Sequence, residues 1–138
     1  MLTCRHWVKS TFPLTAYGSW TYSSPKTSMG FRSAELLPGT LDLLILHTLD
    51  AGPAHGYAIM DAIWSRSGEL FRVEEGALYP ALHRLQLKGW LAAEWGMSEA
   101  NRKAKYYQLT REGRKQLAKE RAGWTQIALG MGRVLGEC

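Results

Sequence analysis

The stretch 74–113, EEGALYPALHRLQLKGWLAAEWGMSEANRKAKYYQLTREG, constrains the fold more than any other part of this chain. Leu78, Leu82 and Leu85 recur at i, i+4 and i+7, the spacing that lines one face of a helix with apolar groups. Gly76, Pro80, His83 and Arg84 then fall on the outer face, with Tyr79 at its margin. The helix should begin near Glu74–Ala77, and Pro80 is tolerable only because it lies in the first turn or so, where its absent N–H is not missed. Lys88-Gly89 supplies the cation and the glycine that mark a helix end. Two strands, Trp90–Trp95 and Lys103–Leu109, are expected around a polar loop, Gly96–Arg102. Neither alternates cleanly, but Tyr106, Tyr107 and Leu109 have strand propensity.

A helix followed by a basic hairpin is the arrangement in which a helix enters a DNA groove and a wing lies along the phosphates. The charge distribution agrees. The chain has 138 residues and a net charge of +5, enough for one compact domain with tails. From Arg84 to Arg121 there are ten Lys/Arg and four Asp/Glu, a net +6. From Gly30 to His83 there are three Lys/Arg and seven Asp/Glu, a net −4. Positive charge is thus concentrated on one part of the fold, from the end of that helix through the hairpin into the last helix, as a nucleic-acid footprint requires. A solvated basic face would explain the lysines of the last helix, but not the cations inside the hairpin.

The remaining elements follow from periodicity and punctuation. A first helix is expected over Pro38–Asp50, with Leu41, Leu44, Ile45, Thr48 and Leu49 inward and Gly52-Pro53 ending it. A second should start near His55-Gly56, turn Tyr57, Met60, Ile63 and Trp64 to the core, and stop near Gly68. Thr110 is a suitable N-cap for a last helix, with Glu112 in its first turn. That helix carries Leu117, Trp124, Ile127, Met131 and Val134. The last four are spaced 3, 4 and 3, a seam that suits a second copy of itself, although the stripe could also fold back on the first helix. The division expected is a disordered extension over 1–33, a DNA-binding domain over 34–109 and a C-terminal dimerisation helix over 110–138. Met29-Gly30 opens a stretch like an ordinary bacterial N-terminus, so residues 1–28 read as an upstream extension. A DNA-touching arm carrying Arg5, Lys9 and Lys26 is the alternative.

Other classes find little support. There is no G-x-S-x-G, P-loop or H-E-x-x-H, so no enzyme is expected, and no cofactor. His47 and His55 have no partner at metal-ligand spacing, and Cys4 and Cys138 sit at the two ends without a C-x-x-C. No apolar run reaches membrane-spanning length and no secretory pattern opens the chain, so a cytoplasmic protein without a membrane partner is expected.

Residues from about Leu36 to Leu135 resemble the PadR family of bacterial transcriptional regulators. The motifs that carry the resemblance are LLPGTLDLLILHTL, HGYAIMDAI, GALYPALHRLQLKGW and NRKAKYYQLTREG. It implies a winged helix-turn-helix homodimer, joined through C-terminal helices and usually repressing transcription from a promoter operator in double-stranded DNA. The single short last helix is similar to that of the small subfamily. Many members carry Gly-Arg-Pro-Arg-Lys in the wing, where this chain has Asn101-Arg102-Lys103-Ala104-Lys105: the cations are kept without the proline. Many have Ser or Thr where Ala77 stands, and an aliphatic residue where Trp90 stands.

The residues expected at DNA are Tyr79, Pro80, His83, Arg84, Lys88, Arg102, Lys103, Lys105 and Tyr107. Tyr79 and Pro80 enter through the resemblance, and Tyr79 could equally be an inter-helix tyrosine. Arg84 could read guanine, but a phosphate contact is favoured. Arg102, Lys103 and Lys105 suit backbone phosphates, because a wing follows the duplex surface. Of Tyr106 and Tyr107, adjacent on a strand, one should be core and one near DNA. Leu117, Trp124, Ile127, Met131 and Val134 are the dimerisation candidates, with Trp124 either an interface anchor or a stacking wall for a flat effector. A small-molecule effector stays open as a further partner. The competing reading is a winged-helix module that binds protein, its basic face incidental.

Overall fold

The computed structural model describes residues 31–32 and 39–137. The extension up to residue 30, the helix start at Pro38, and Cys4 and Cys138 lie outside the described residues. The elements run β1 (Phe31–Arg32), α1 (Thr40–Leu49), β2 (Ala54–His55), α2 (Gly56–Arg66), β3 (Phe71–Arg72), α3 (Glu75–Leu87), β4 (Leu91–Met97), β5 (Lys103–Leu109) and α4 (Arg111–Leu135). The described residues fall into two units, those up to 119 and those from 120 to 137.

In the first unit, α1, α2 and α3 pack around one core. Ile45, Leu46 and Leu49 come from α1, Ile59 and Ile63 from α2, and Leu78, Ala81, Leu82 and Leu85 from α3. Leu91, Tyr107 and Leu109 close it from the sheet, and Leu117 from the first turns of α4. Each fully buried leucine or isoleucine contributes about 1.5–3 kcal/mol relative to exposure. The one buried polar side chain described in this core region, Thr48, donates its hydroxyl to the Leu44 carbonyl at 2.8 Å.

The face of α2 differs from the expected one. Tyr57 points to solvent, and the buried positions are Gly56, Ile59 and Ile63. The reason is Gly56: the Tyr79 ring lies directly against it, where a Cβ would overlap the phenol. Turning the glycine toward α3 rotates Tyr57 outward. His55 caps this helix, its Nδ1 accepting from Ala58 N at 3.2 Å.

The sheet also holds more than the expected hairpin. β5 is its central strand, antiparallel to β4 on one side and to β2 on the other. β2 is two residues long, pairing Ala54 with Tyr107 and His55 with Tyr106, too short for any periodicity to reveal. Phe31 and Arg32, inside the stretch expected to lack structure, pair in parallel with Phe71 and Arg72, because the turn after α2 leaves β3 with an open edge.

Helix ends set the geometry around the wing. α3 closes with Gly89 at φ +80°, Gly89 N donating to Gln86 O and Trp90 N to Leu85 O, so the chain turns straight into β4. At the far end of the hairpin, Thr110 Oγ1 accepts from Gly113 N at 3.0 Å and donates to Gly89 O at 2.7 Å. Gly113 passes so close to the Trp90 carbonyl that any Cβ would strike it. The base of the wing is thereby tied to both the end of α3 and the start of α4. Three helices, a short strand between the first two, and a hairpin after the third that pairs with that strand make a winged helix-turn-helix, with a long C-terminal helix after it.

In the second unit, 120–135 is helical, and Gly136 at φ +73° ends it with Glu137 N bonded to Gly132 O. Trp124, Ile127, Met131 and Val134 are all exposed there, Val134 at 85%.

Candidate nucleic-acid interface

Helix α3 has two chemically distinct faces. Leu78, Ala81, Leu82 and Leu85 are buried, while Gly76, Tyr79, Pro80, His83 and Arg84 face outward. Its first hydrogen bonds converge on the Glu74 carbonyl, from Ala77 N at 3.0 Å and Leu78 N at 2.9 Å. Pro80 is the sixth residue of the helix rather than part of its first turn. Its missing N–H therefore leaves the Gly76 carbonyl without its i+4 donor, and the absence of a Gly76 side chain keeps that carbonyl open to solvent.

Tyr79 lies across the α2–α3 junction, its ring against Gly56 and its margin solvent-exposed. Its phenol pKa is raised, by burial first, then by the Glu75 carboxylate and the Tyr57 hydroxyl. The phenol therefore stays protonated at neutral pH, a hydroxyl able to donate. Arg84 is paired: its Nη2 stands 2.5 Å from Asp42 Oδ1 of α1, with half of the Arg84 side chain still exposed. Lys88 lies over the Trp90 ring, 4.7 Å from the centroid, so the stem is held at the helix end while the ammonium stays near the surface.

The wing is built by cross-strand register. Leu91 opposes Leu109, Ala93 opposes Tyr107, Trp95 opposes Lys105, and Met97 opposes Lys103. These residues share one face of the sheet. The face begins in the core with Leu91 and Leu109 and emerges beyond Tyr107 with Trp95, Lys105, Met97 and Lys103. Lys103 Nζ lies 5.6 Å from the Trp95 ring centroid and Lys105 Nζ 5.8 Å from that of Tyr107. The opposite face carries Ala92, Glu94 and Gly96 with Ala104, Tyr106 and Gln108. The tip, 98–102, is closed by Ser98 N to Arg102 O at 2.8 Å and by Asn101 at φ +60°. Arg102 and Lys103 are exposed at its edge.

Two expected site residues are displaced by the structure. Tyr107, read as a DNA contact, is 6% exposed and belongs to the core. Strand alternation puts it on the Leu91–Leu109 face where that face is still covered, and burial, then Tyr79, raises its phenol pKa. Leu117, read as part of the dimer seam, is 5% exposed and packs in the core of the first unit, because α4 starts tied to the wing base. Tyr79, Pro80, His83, Arg84, Lys88, Arg102 and Lys103 are exposed and Lys105 is half-buried. Residues that sequence reasoning missed are Asp42, which holds Arg84, and Trp95 and Met97, exposed at 61% and 62%. The signal for the last two was the two-residue period shared with Lys103 and Lys105.

Among the described residues no group of three His, Cys, Asp or Glu side chains is placed to hold a metal ion. No helix among them is long and apolar enough to cross a membrane.

Comparison with known proteins places the arrangement. The sequence pattern of the Transcriptional regulator PadR-like family matches residues 45–119, from mid-α1 through the wing into α4. The Transcriptional regulator Rv3488 of Mycobacterium tuberculosis is 35% identical over 86 residues, covering 62% of this chain and 77% of that protein. Among solved structures, a PadR family transcriptional regulator from Eggerthella lenta is 36% identical with a TM-score of 0.59, covering 70% of this chain and 82% of that one. A PadR family transcription regulator from Clostridium difficile is 30% identical with a TM-score of 0.62, covering 70% of this chain and 99% of that one. The match spans the recognition helix, the wing and the residues that join them, and the chain belongs to the PadR-like family of transcriptional regulators.

Proposed function

We propose that this regulator is a sequence-specific DNA-binding repressor that acts as a homodimer on a promoter operator. The observation that carries the reading is the union, on one compact unit, of an open α3 face and a wing face bearing cations without an acid. In this reading α3 enters the major groove, where Tyr79, Pro80 and His83 meet base edges or the sugar-phosphate wall. Arg84, Lys88, Arg102, Lys103 and Lys105 meet phosphates, which position the protein without reading sequence. Two copies joined through Trp124, Ile127, Met131 and Val134 would set two half-sites about one helical turn apart. The exposure of these four residues supports the joining surface, since a lone helix has nothing of its own to cover such a stripe. The same exposed Trp124 indole offers a stacking surface for a flat effector that would release the operator.

The test is binding of the purified full chain to the DNA upstream of its own coding region and to a scrambled duplex of equal length, with the mass of the complex measured by sedimentation. Preference for the upstream fragment by a dimer, together with reduced transcription from it, is the expected result. Equal and salt-insensitive binding to both would assign the basic face to a protein partner instead.

A further inference from the structure

The wing face that leaves the core has an unusual composition. Beyond Tyr107 it presents two large apolar side chains, Trp95 and Met97, each opposite a lysine. Exposed apolar groups at a strand end are a liability in a free protein unless a partner covers them. The charges on this face narrow the partner. Lys103 and Lys105 stand beside the two apolar side chains, the tip carries Arg102 and Glu99, and the one strand carboxylate, Glu94, lies on the other face, which leaves this face net cationic. A cationic face with an apolar centre complements a polyanion whose interior is apolar, and a duplex opened at one base step is such a surface.

The backbone beneath these side chains is braced. Tyr106 Oη donates to the Met97 carbonyl at 3.1 Å, and the Tyr106 ring covers Gly96, where a Cβ would meet it at 3.2 Å. His55 packs edge-on against the same ring, at 5.4 Å between centroids. The end of β4 is therefore held from behind by a residue that itself rests on the N-cap of α2. A side chain that must part stacked bases needs such support, since it works against stacking energy.

We propose that Met97, backed by Trp95, is an apolar wedge that enters the minor groove beside each half-site and partly unstacks one base step, with Lys103 and Lys105 neutralising the flanking phosphates. The inference rests on the DNA-binding reading above and adds a second source of sequence preference. A wedge favours steps that unstack easily, pyrimidine–purine steps such as TA and CA, at a position where no hydrogen bond reads a base. Tyr106 is a positioning residue in this device, acting through the Met97 carbonyl.

The experiment uses the full chain and duplexes about three helical turns long, enriched by it from a random-sequence library. The enriched duplexes should share a pyrimidine–purine step at a fixed distance outside each half-site. Aminopurine placed at that step should brighten when the wild-type protein binds. Met97→Ala should abolish the brightening and lower affinity about tenfold, with the salt slope unchanged because no cation is lost. Met97→Leu should keep both, and Tyr106→Phe should weaken the brightening. Salt-dependent binding that leaves aminopurine dark would overturn the wedge while leaving DNA binding intact. Failure to enrich any duplex would overturn both. Loss of oligomer mass in Met97→Ala with unchanged DNA affinity would assign the face to a second copy of the chain and also overturn the wedge.

Discussion

Arg84 on the open face of the recognition helix is held by Asp42 of α1, with Nη2 and Oδ1 2.5 Å apart. The pair restrains the guanidinium and cancels most of its charge toward a nearby phosphate. With half of the Arg84 side chain in solvent, though Asp42 is only 14% exposed, the pair contributes about 1 kcal/mol or less to stability. If Arg84 meets a phosphate, as proposed, the larger effect of the pair falls on DNA affinity. Asp42→Asn keeps a hydrogen-bond acceptor and removes the carboxylate charge. Affinity for random duplex should rise, and the salt slope should steepen by up to about one unit per subunit. Fluorescence anisotropy titrations at several salt concentrations measure both, and an unchanged slope would mean that Arg84 does not face phosphate.

Gly56 and Tyr79 make the contact that fixes α2 against α3. Gly56 has an ordinary backbone conformation, so alanine there is resisted first by the Tyr79 ring. Gly56→Ala should cost about 1–3 kcal/mol, the usual penalty of overpacking. Adding Tyr79→Ala should recover much of that loss, giving a coupling energy of opposite sign to the single effect. Urea melts of the two single variants and the double variant measure it. A neutral Gly56→Ala would show that Tyr79 swings away freely.

Burial raises the Tyr107 phenol pKa, with Tyr79 adding to the shift. The unfolded chain therefore releases this proton at lower pH than the folded one. The contribution to stability is complete below the ordinary phenol value, about 10, and is lost as pH rises through the higher folded value. Tyr107→Phe should flatten the alkaline loss of stability while changing little at neutral pH. Melting temperatures recorded on either side of the phenol range test this, and a Tyr107→Phe chain that loses stability in alkali as steeply as the wild type would contradict it.

The apolar stripe of the second unit gives a separate expectation. Trp124→Glu with Met131→Glu should yield monomers that keep the melting behaviour of the first unit, since neither residue belongs to its core. Operator affinity should fall with dimerisation, because two linked half-sites bind far more tightly than one. Sedimentation showing an unchanged dimer would remove these residues from the interface.

Much of this was legible in the sequence because it rests on long periodic segments. The Leu78–Leu82–Leu85 stripe places α3 without ambiguity, Gly89 marks its end, and Thr110 caps α4 as its chemistry requires. What was not legible depends on contacts between segments. The face of α2 turned on Gly56 meeting Tyr79, a relation between residues 23 apart. Tyr107 went into the core because β5 is a central strand, and a two-residue β2 leaves no pattern to show that. Leu117 fits a helical seam by spacing alone, but the tie from Thr110 to Gly89 draws the first turns of α4 onto the core. Asp42 stands 42 positions before Arg84, and no local rule links them. The wing lysines were visible as charge, whereas Trp95 and Met97 became visible only through register.

The central claim is that the wing and α3 face bind DNA phosphates, and the salt dependence of binding tests it most directly. If each subunit of a dimer neutralises about three to five phosphates, affinity for operator should fall roughly 10³–10⁵-fold between about 50 and 200 mM salt. Lys103→Ala and Lys105→Ala should each weaken specific and scrambled duplex alike, and make the slope shallower by about two units per dimer. Wing variants that bind with the wild-type slope would contradict the account and place this surface against a protein.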